Sequence, residues 1–183
     1  MDEFRNNYYN YDITVYAEDA NKQIMEYDNK LTMGTTYVAL QIINNTMIFS
    51  NIGDSRGYLF RNNQLMQMSK DHTVIQHLLE NNIISETQAE HHFQRHMLSQ
   101  YLGMREEGYE IVPEPYVAER MKVIPGDMFL MCTDGLTDAM KEKELLTILA
   151  GKENVTEKVQ LMLGYALERG GKDNITIMLI EAV

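Results

Sequence analysis

The sequence predicts an α+β fold, and three observations carry the prediction. Strand-like runs follow one another through Asn-Asn pairs at 44–45 and 62–63, the pattern of an antiparallel meander. Helical periodicity comes in groups rather than after every strand, so a βαβ series is excluded. The chain has 183 residues, 44% hydrophobic and 23% charged, enough for one sizeable core, and a single domain over residues 1–183 is expected.

Residues 13 to 27 read as a helix, because Ile13, Tyr16, Ala17, Ala20, Ile24 and Tyr27 recur at helical spacing on one face. "MGTTYVALQII" is β-branched and reads as a strand; Asn44-Asn45 turns it into "TMIFSNI". "GDSR" interrupts, then "GYLFR", Asn62-Asn63 and "QLMQM" form a hairpin. A helix begins near Thr73 with Val74, Leu78 and Leu79 inward, and Ser85-Glu86-Thr87-Gln88 caps a second, shorter one. Residues 104–110 are polar and read as a loop, and "YVAERMKV" as a strand. Pro125-Gly126 turns the chain into the buried strand "DMFLMC". Residues 141 to 149 are helical. Val159, Met162, Leu163, Ala166 and Leu167 mark an amphipathic helix from Val155, which Gly170-Gly171 ends before the last strand, "NITIMLIEA".

Composition excludes several functions. No apolar run is long enough to span a membrane, and the polar, acidic "MDEFRNNYYNYD" is not a secretory signal. Cys132 is the only cysteine, so there is no internal disulfide and a cytoplasmic location is expected. Set in an apolar run, Cys132 reads as a packed thiol rather than a nucleophile. The formal net charge of −11 argues against nucleic acid, which needs clustered Lys and Arg, and leaves room for a cation.

Four carboxylates stand where strands or helices give way to turns: Asp54 after "FSNIG", Asp134 after "FLMCT", Asp138 four residues later, and Asp173 before the last strand. Any one of them reads as a turn residue whose side chain bonds nearby N–H groups. As a set they suggest more. If their strands are neighbours the carboxylates converge, and converging carboxylates repel unless a cation lies between them. All-oxygen donors suit Mg²⁺ or Mn²⁺. His91, His92 and His96 lack the spacing of a zinc motif and read as surface residues.

In order along the chain stand "MGTT", "GDSR", "SKDHT", "RHMLSQYLG", "GDMFLMCTDGLTDAM" and "GGKDNIT". This series resembles the metal-dependent protein phosphatases of the 2C type, bacterial branch, over about residues 13 to 183. The resemblance implies a β-sandwich of two antiparallel sheets flanked by helices, with a binuclear Mg²⁺ or Mn²⁺ site at one end. It implies that Asp134 and Asp173 are ligands of the first metal, and that Asp134 shares a weaker third site with Asp54 and Asp138. Gly135 and Asn174 would support them. The implied reaction is hydrolysis of phosphoserine or phosphothreonine by a water that the cations activate, with no covalent enzyme intermediate. The implied partners are a phosphoprotein substrate or a regulatory protein, in bacterial signalling.

The family's pattern begins earlier than this chain does. Its substrate-gripping arginine, its Asn-Glu-Asp motif and its Asp-Gly-x-Gly-Gly motif, whose Asp bridges the two main metals, have no match here. Arg5 only faintly resembles the arginine motif, and Asp12, Asp19 and Asp28 read as solvated. The expectation is therefore a 2C-type domain incomplete at its N-terminus, with weak or absent phosphatase activity and no catalytic side chain assigned. The alternative is a non-catalytic binding module that keeps the fold. Strand edges left unpaired by the missing part point to a homodimer.

Overall fold

The computed structural model describes residues 13–27, 33–89, 91–106 and 109–183. The expectations for Arg5, Asp12 and Asp28 concern residues outside this set. The chain divides into two compact units: residues 1–37, 50–54 and 71–117, and residues 38–49, 55–70 and 118–183.

The second unit holds most of the sheet structure. Strands β1 (Tyr37–Ile43) and β2 (Thr46–Ile52) pair as a hairpin. Strands β3 (Arg56–Arg61) and β4 (Gln64–Gln67) form another. Both Asn-Asn turns work for the same reason: Asn44, Asn45, Asn62 and Asn63 have φ of 50, 56, 52 and 56°, the left-handed pair that a type I′ turn requires and asparagine tolerates. Strand β9 (Met128–Cys132) lies antiparallel between β3 and the last strand, β10 (Ile177–Glu181), giving the order β10–β9–β3–β4.

Two apolar layers sandwich that sheet. On one face Leu59 and Phe129 meet Met47 and Phe49 from β2, with the Phe49 and Phe129 rings 6.4 Å apart. Gly57 permits this contact: a Cβ there would lie 2.6 Å from the Phe49 ring. On the other face Tyr58, Leu130, Cys132 and Leu179 meet Leu136, Leu145, Leu149, Met162 and Ala166. These come from the helices Asp134–Thr137, Glu142–Leu149 and Val155–Glu168. Cys132 is therefore a buried core thiol. Because β3 and β9 are covered on both faces, they read as continuous apolar runs rather than alternating ones.

Two polar groups are locked into this unit. Lys158 is 1% exposed, and its Nζ donates to the carbonyls of Ile148, Leu149 and Gly151 at 3.0, 3.0 and 2.6 Å. It thus satisfies the C-terminal carbonyls of the preceding helix. Lys158→Met keeps the bulk and removes all three donors, and should cost about 2–4 kcal/mol in urea unfolding.

Asp127, also 1% exposed, accepts from Arg61 Nε and Nη2 at 2.7 and 2.6 Å. It also accepts from the Ile124 N–H at 2.9 Å. Burial pushes the Asp127 carboxyl up, but these hydrogen bonds and the Arg61 charge outweigh it and hold the carboxyl below its ordinary value. Because the folded value is depressed, the stabilisation is present above the unfolded value, near pH 3.9. It is lost as pH falls through the lower folded value. The urea midpoint should therefore fall with acid through this window in the wild type, and less so in Asp127→Asn.

In the first unit, α1 (Ile13–Tyr27) buries Ile13, Ala17 and Asn21. Asn21 accepts from the Gly103 N–H at 2.7 Å, and the Tyr37 hydroxyl donates to the Ile13 carbonyl at 3.1 Å. Tyr16 and Tyr27, expected on the inner face, are 38% and 83% exposed; the buried stripe is narrower than their spacing suggested. Asp19 is exposed, as expected. Helix α2 (Val74–Glu80) is capped by Thr73, and its buried residue is Ile75, with Val74, Leu78 and Leu79 only partly covered. The short helix α3 (Glu86–Ala89) follows Ser85, whose N–H donates to Gln88 Oε1.

Two stretches differ from expectation. Residues 104–110 contain a small hairpin, Arg105–Glu106 (β5) with Tyr109–Glu110 (β6), rather than a plain loop. The strand expected at 116–123 is two short pieces, β7 (Tyr116–Val117) and β8 (Met121–Lys122), both paired with β2. Val117 faces Ser50 and Met121 faces Met47, so one more residue lies between the pair on this strand than on β2. That is a β-bulge, and alternation alone does not reveal one. No helix among the described residues is long and apolar enough to cross a membrane.

Candidate metal centre

Strand β9 ends at Cys132, opposite Ile177 of β10 (Ile177–Glu181). The next residue ties the two strand ends together. The Thr133 N–H donates to the Thr176 carbonyl at 3.2 Å, and the Thr133 hydroxyl accepts from the Thr176 N–H at 3.0 Å. The same hydroxyl donates to the Asn174 carbonyl at 3.2 Å. Thr133 also stands at the N-cap of the one-turn helix α4 (Asp134–Thr137), which puts Asp134 at its first position.

Gly135 sits against the other strand's approach. A Cβ on it would fall 2.4 Å from the Asn174 carbonyl oxygen and 3.1 Å from the Asn174 carbonyl carbon. Glycine is thus required by close packing of two backbones. Asp134 and Asp173, on the two clamped segments, are brought to the same end of the sheet. Asp134 is half-buried, while Asp138, Asp173 and Asn174 are exposed.

Each carboxylate has local support. The Asp138 N–H donates to the Asp134 carbonyl at 2.7 Å, closing the turn that carries both. Asp173 Oδ1 accepts from the Asn174 N–H at 2.7 Å. Asp134 and Asp138 each bring a carboxylate oxygen within 4.8 Å of the other, in a group that does not include Asp173, and close carboxylate oxygens match the donor chemistry of a hard divalent cation.

Asp54 belongs to the first unit. It follows Gly53, whose φ of +94° favours glycine and whose Cβ would lie 2.5 Å from Thr36 Cγ2. His72 holds this turn. Its Nδ1 accepts from the Gly53 N–H at 3.1 Å, and its backbone N–H donates to the Gly53 carbonyl at 2.9 Å. An accepting Nδ1 means a neutral ring with the proton on Nε2. Three residues earlier, Ser69 Oγ accepts from the Gly57 N–H at 3.0 Å. The "GDSR" and "SKDHT" segments occur together because one braces the backbone of the other.

Asp54 follows β2, which pairs with β1, β7 and β8 and not with β9. The neighbouring-strand expectation thus holds for the strands of Asp134 and Asp173 only. The chain then enters β3 at Arg56, opposite Cys132. Sequence reasoning missed Thr133 and His72. Thr133 carried only the general signal of a Thr before a helix-opening Asp, and its hydroxyl makes no capping bond there, since its partners lie on the facing segment. His72 carried none beyond its place in "SKDHT". His91 and His96 are exposed and His92 is half-buried.

A family profile described as "Protein phosphatase 2C" matches residues 2–175. Among curated proteins, the chain is similar to the serine/threonine phosphatase stp of Listeria welshimeri, at 36% identity over 168 residues. That match covers 90% of this chain and 64% of the relative. It is also similar to the serine/threonine protein phosphatase PstP of Mycobacterium tuberculosis, at 35% identity over 151 residues, covering 82% of this chain and 28% of the relative. Among solved structures, the S. agalactiae serine/threonine phosphatase superposes with a TM-score of 0.83 at 28% identity, covering 93% of this chain and 69% of that one. The catalytic domain of PstP in complex with two manganese ions superposes at 0.73 with 30% identity, covering 90% and 66%. The chain spans 64% of the length of the Listeria relative, less than two thirds.

Proposed function

Because the chain belongs to the protein phosphatase 2C family, we propose that it is a serine/threonine phosphatase-like domain that binds Mn²⁺ or Mg²⁺ weakly and by itself hydrolyses phosphoserine or phosphothreonine slowly or not at all. The observation that carries this reading is the Thr133 clamp, which joins the segments bearing Asp134 and Asp173. Those two would hold the cation, with Asp138 as a further oxygen donor and Gly135 and Asn174 as packing support. A bound cation would supply charge to offset the phosphoryl oxygens and acidify a water. The chain's own residues supply rigid placement: β9 and β10 fix the backbone, and α4 (Asp134–Thr137) fixes the step from Asp134 to Asp138.

Low activity is expected because no Asp-Gly-x-Gly-Gly segment and no matching arginine motif occur in the sequence. A metal held by fewer carboxylates is held loosely, and a substrate phosphate without its arginine is poorly oriented. The same absence favours a second reading, a binding module that keeps the fold and a cation without turnover. The proposed partner is a phosphoprotein in either case, in the cytoplasm, and a homodimer is part of the proposal. The test is a phosphopeptide assay with Mn²⁺. Slow phosphate release abolished by Asp134→Ala supports the phosphatase reading; Mn²⁺ binding with no release supports the binding module. Fast turnover would overturn the expectation of low activity.

A further inference from the structure

One face of the β10–β9–β3–β4 sheet shows a gradient of burial. Ile180 faces Phe129, and Phe129 faces Leu59, so the three share a side. Leu59 and Phe129 are 0% exposed, but Ile180 is 38% exposed, and Met178, which faces Met131, is 53% exposed. This is the face that Met47 and Phe49 cover further along the sheet. Its cover therefore stops short of β10. Among the described residues β10 has only β9 beside it.

The backbone shows which groups point away. The Ala182 N–H donates to the Asp127 carbonyl, the Gly126 N–H to the Ala182 carbonyl, and the Thr133 N–H to the Thr176 carbonyl. Residues 176 and 182 thus turn toward β9, and by the alternation of an antiparallel ladder so do Met178 and Ile180. Ile177, Leu179 and Glu181 then direct their N–H and C=O groups outward.

We propose that this edge pairs with the same edge of a second copy of the chain, β10 antiparallel to β10 about a two-fold axis at Leu179. In that register Leu179 of each copy bonds Leu179 of the other, and Ile177 bonds Glu181, for about six inter-strand hydrogen bonds. Met178 of one copy falls opposite Ile180 of the other. These are non-hydrogen-bonded pairs, where side chains come closest, so the two exposed apolar residues of the inner face cover each other. The only charge on the strand, Glu181, meets Ile177 and not its own copy. No Lys or Pro on β10 guards the edge, the usual device against such pairing. The contact is self-complementary, as a two-fold interface must be. The inference rests on the sheet edge alone and does not depend on the phosphatase reading.

Sedimentation of the whole chain over an about hundredfold concentration range, with amide hydrogen exchange, tests it. The expected result is a monomer–dimer equilibrium in which the Ile177, Leu179 and Glu181 amides gain protection with concentration. Association should strengthen with salt, because a net charge of −11 opposes approach and is screened. Met178→Lys and Ile180→Lys, both at exposed positions, should each weaken the dimer at least about tenfold by placing a cation in the apolar pair. Their far-UV circular dichroism should stay unchanged. A monomer at every concentration would overturn the proposal, whether those three amides are open or are protected by another part of the chain. So would a dimer that both variants leave intact, or one in which those amides stay unprotected.

Discussion

Asp134→Ala combined with Asp173→Ala is expected to abolish Mn²⁺ binding in titration calorimetry, while the wild-type chain binds with a Kd on the order of 10⁻⁴ M or weaker. The two residues sit on segments joined by the Thr133 hydrogen bonds, so removing both takes away the donors that the backbone places most rigidly. Asp138 and Asp173 are exposed, and water competes for every coordination position they leave open. The wild-type affinity should therefore be modest. Asp138→Ala alone should weaken binding by less than the double variant, because it removes one carboxylate where the double variant removes two. Binding that survives the double variant would place the cation elsewhere. The readout is heat of binding rather than turnover, so it stands whether or not the chain is an active phosphatase.

What could be read from the sequence was whatever local chemistry dictates. The Asn-Asn turns were visible because few residue pairs accept two left-handed conformations in a row, and Asn44–Asn45 and Asn62–Asn63 adopt them. Strands β3 and β9 were visible as apolar runs, because both their faces are buried. Helix Val155–Glu168 announced itself through the helical spacing of Val159, Met162, Leu163, Ala166 and Leu167, and through the glycines that end it. What stayed hidden depends on partners distant in the chain. Lys158 looks like a solvated helix residue until its ammonium is found on three carbonyls. The bulge between β7 and β8 exists only relative to β2. Tyr16 and Tyr27 fit a helical stripe by spacing, yet what covers a helix is set by tertiary neighbours. For the candidate site, Asp134 and Asp173 stood out as a pattern of strand ends. Thr133, which joins those ends, did not, since a single threonine carries little information until its two partners on the facing segment are known.

Gly135→Ala is expected to destabilise the chain by about 2–3 kcal/mol and to weaken Mn²⁺ binding at least about tenfold, whereas Gly164→Ala should stabilise it by about 0.5–1 kcal/mol and leave binding unchanged. The two substitutions add the same methyl group and differ only in what it meets. At Gly164, inside the helix Val155–Glu168, a Cβ has nothing within 4 Å. The gain there is the ordinary preference of a helix for alanine over glycine. At Gly135 the new Cβ lies 2.4 Å from the Asn174 carbonyl oxygen. That obstacle is backbone, and no side-chain rotation relieves it. Either α4 or the segment before β10 must move, and the Thr133 hydroxyl then loses its geometry to both Asn174 and Thr176. Asp134 is carried on one of those segments and Asp173 on the other, so any separation spreads the carboxylates that should share a cation. Urea unfolding of both variants, with Mn²⁺ titration of each, measures the two effects separately. Gly135→Ala with wild-type Mn²⁺ affinity would show that the cation does not require these two segments to stay in register.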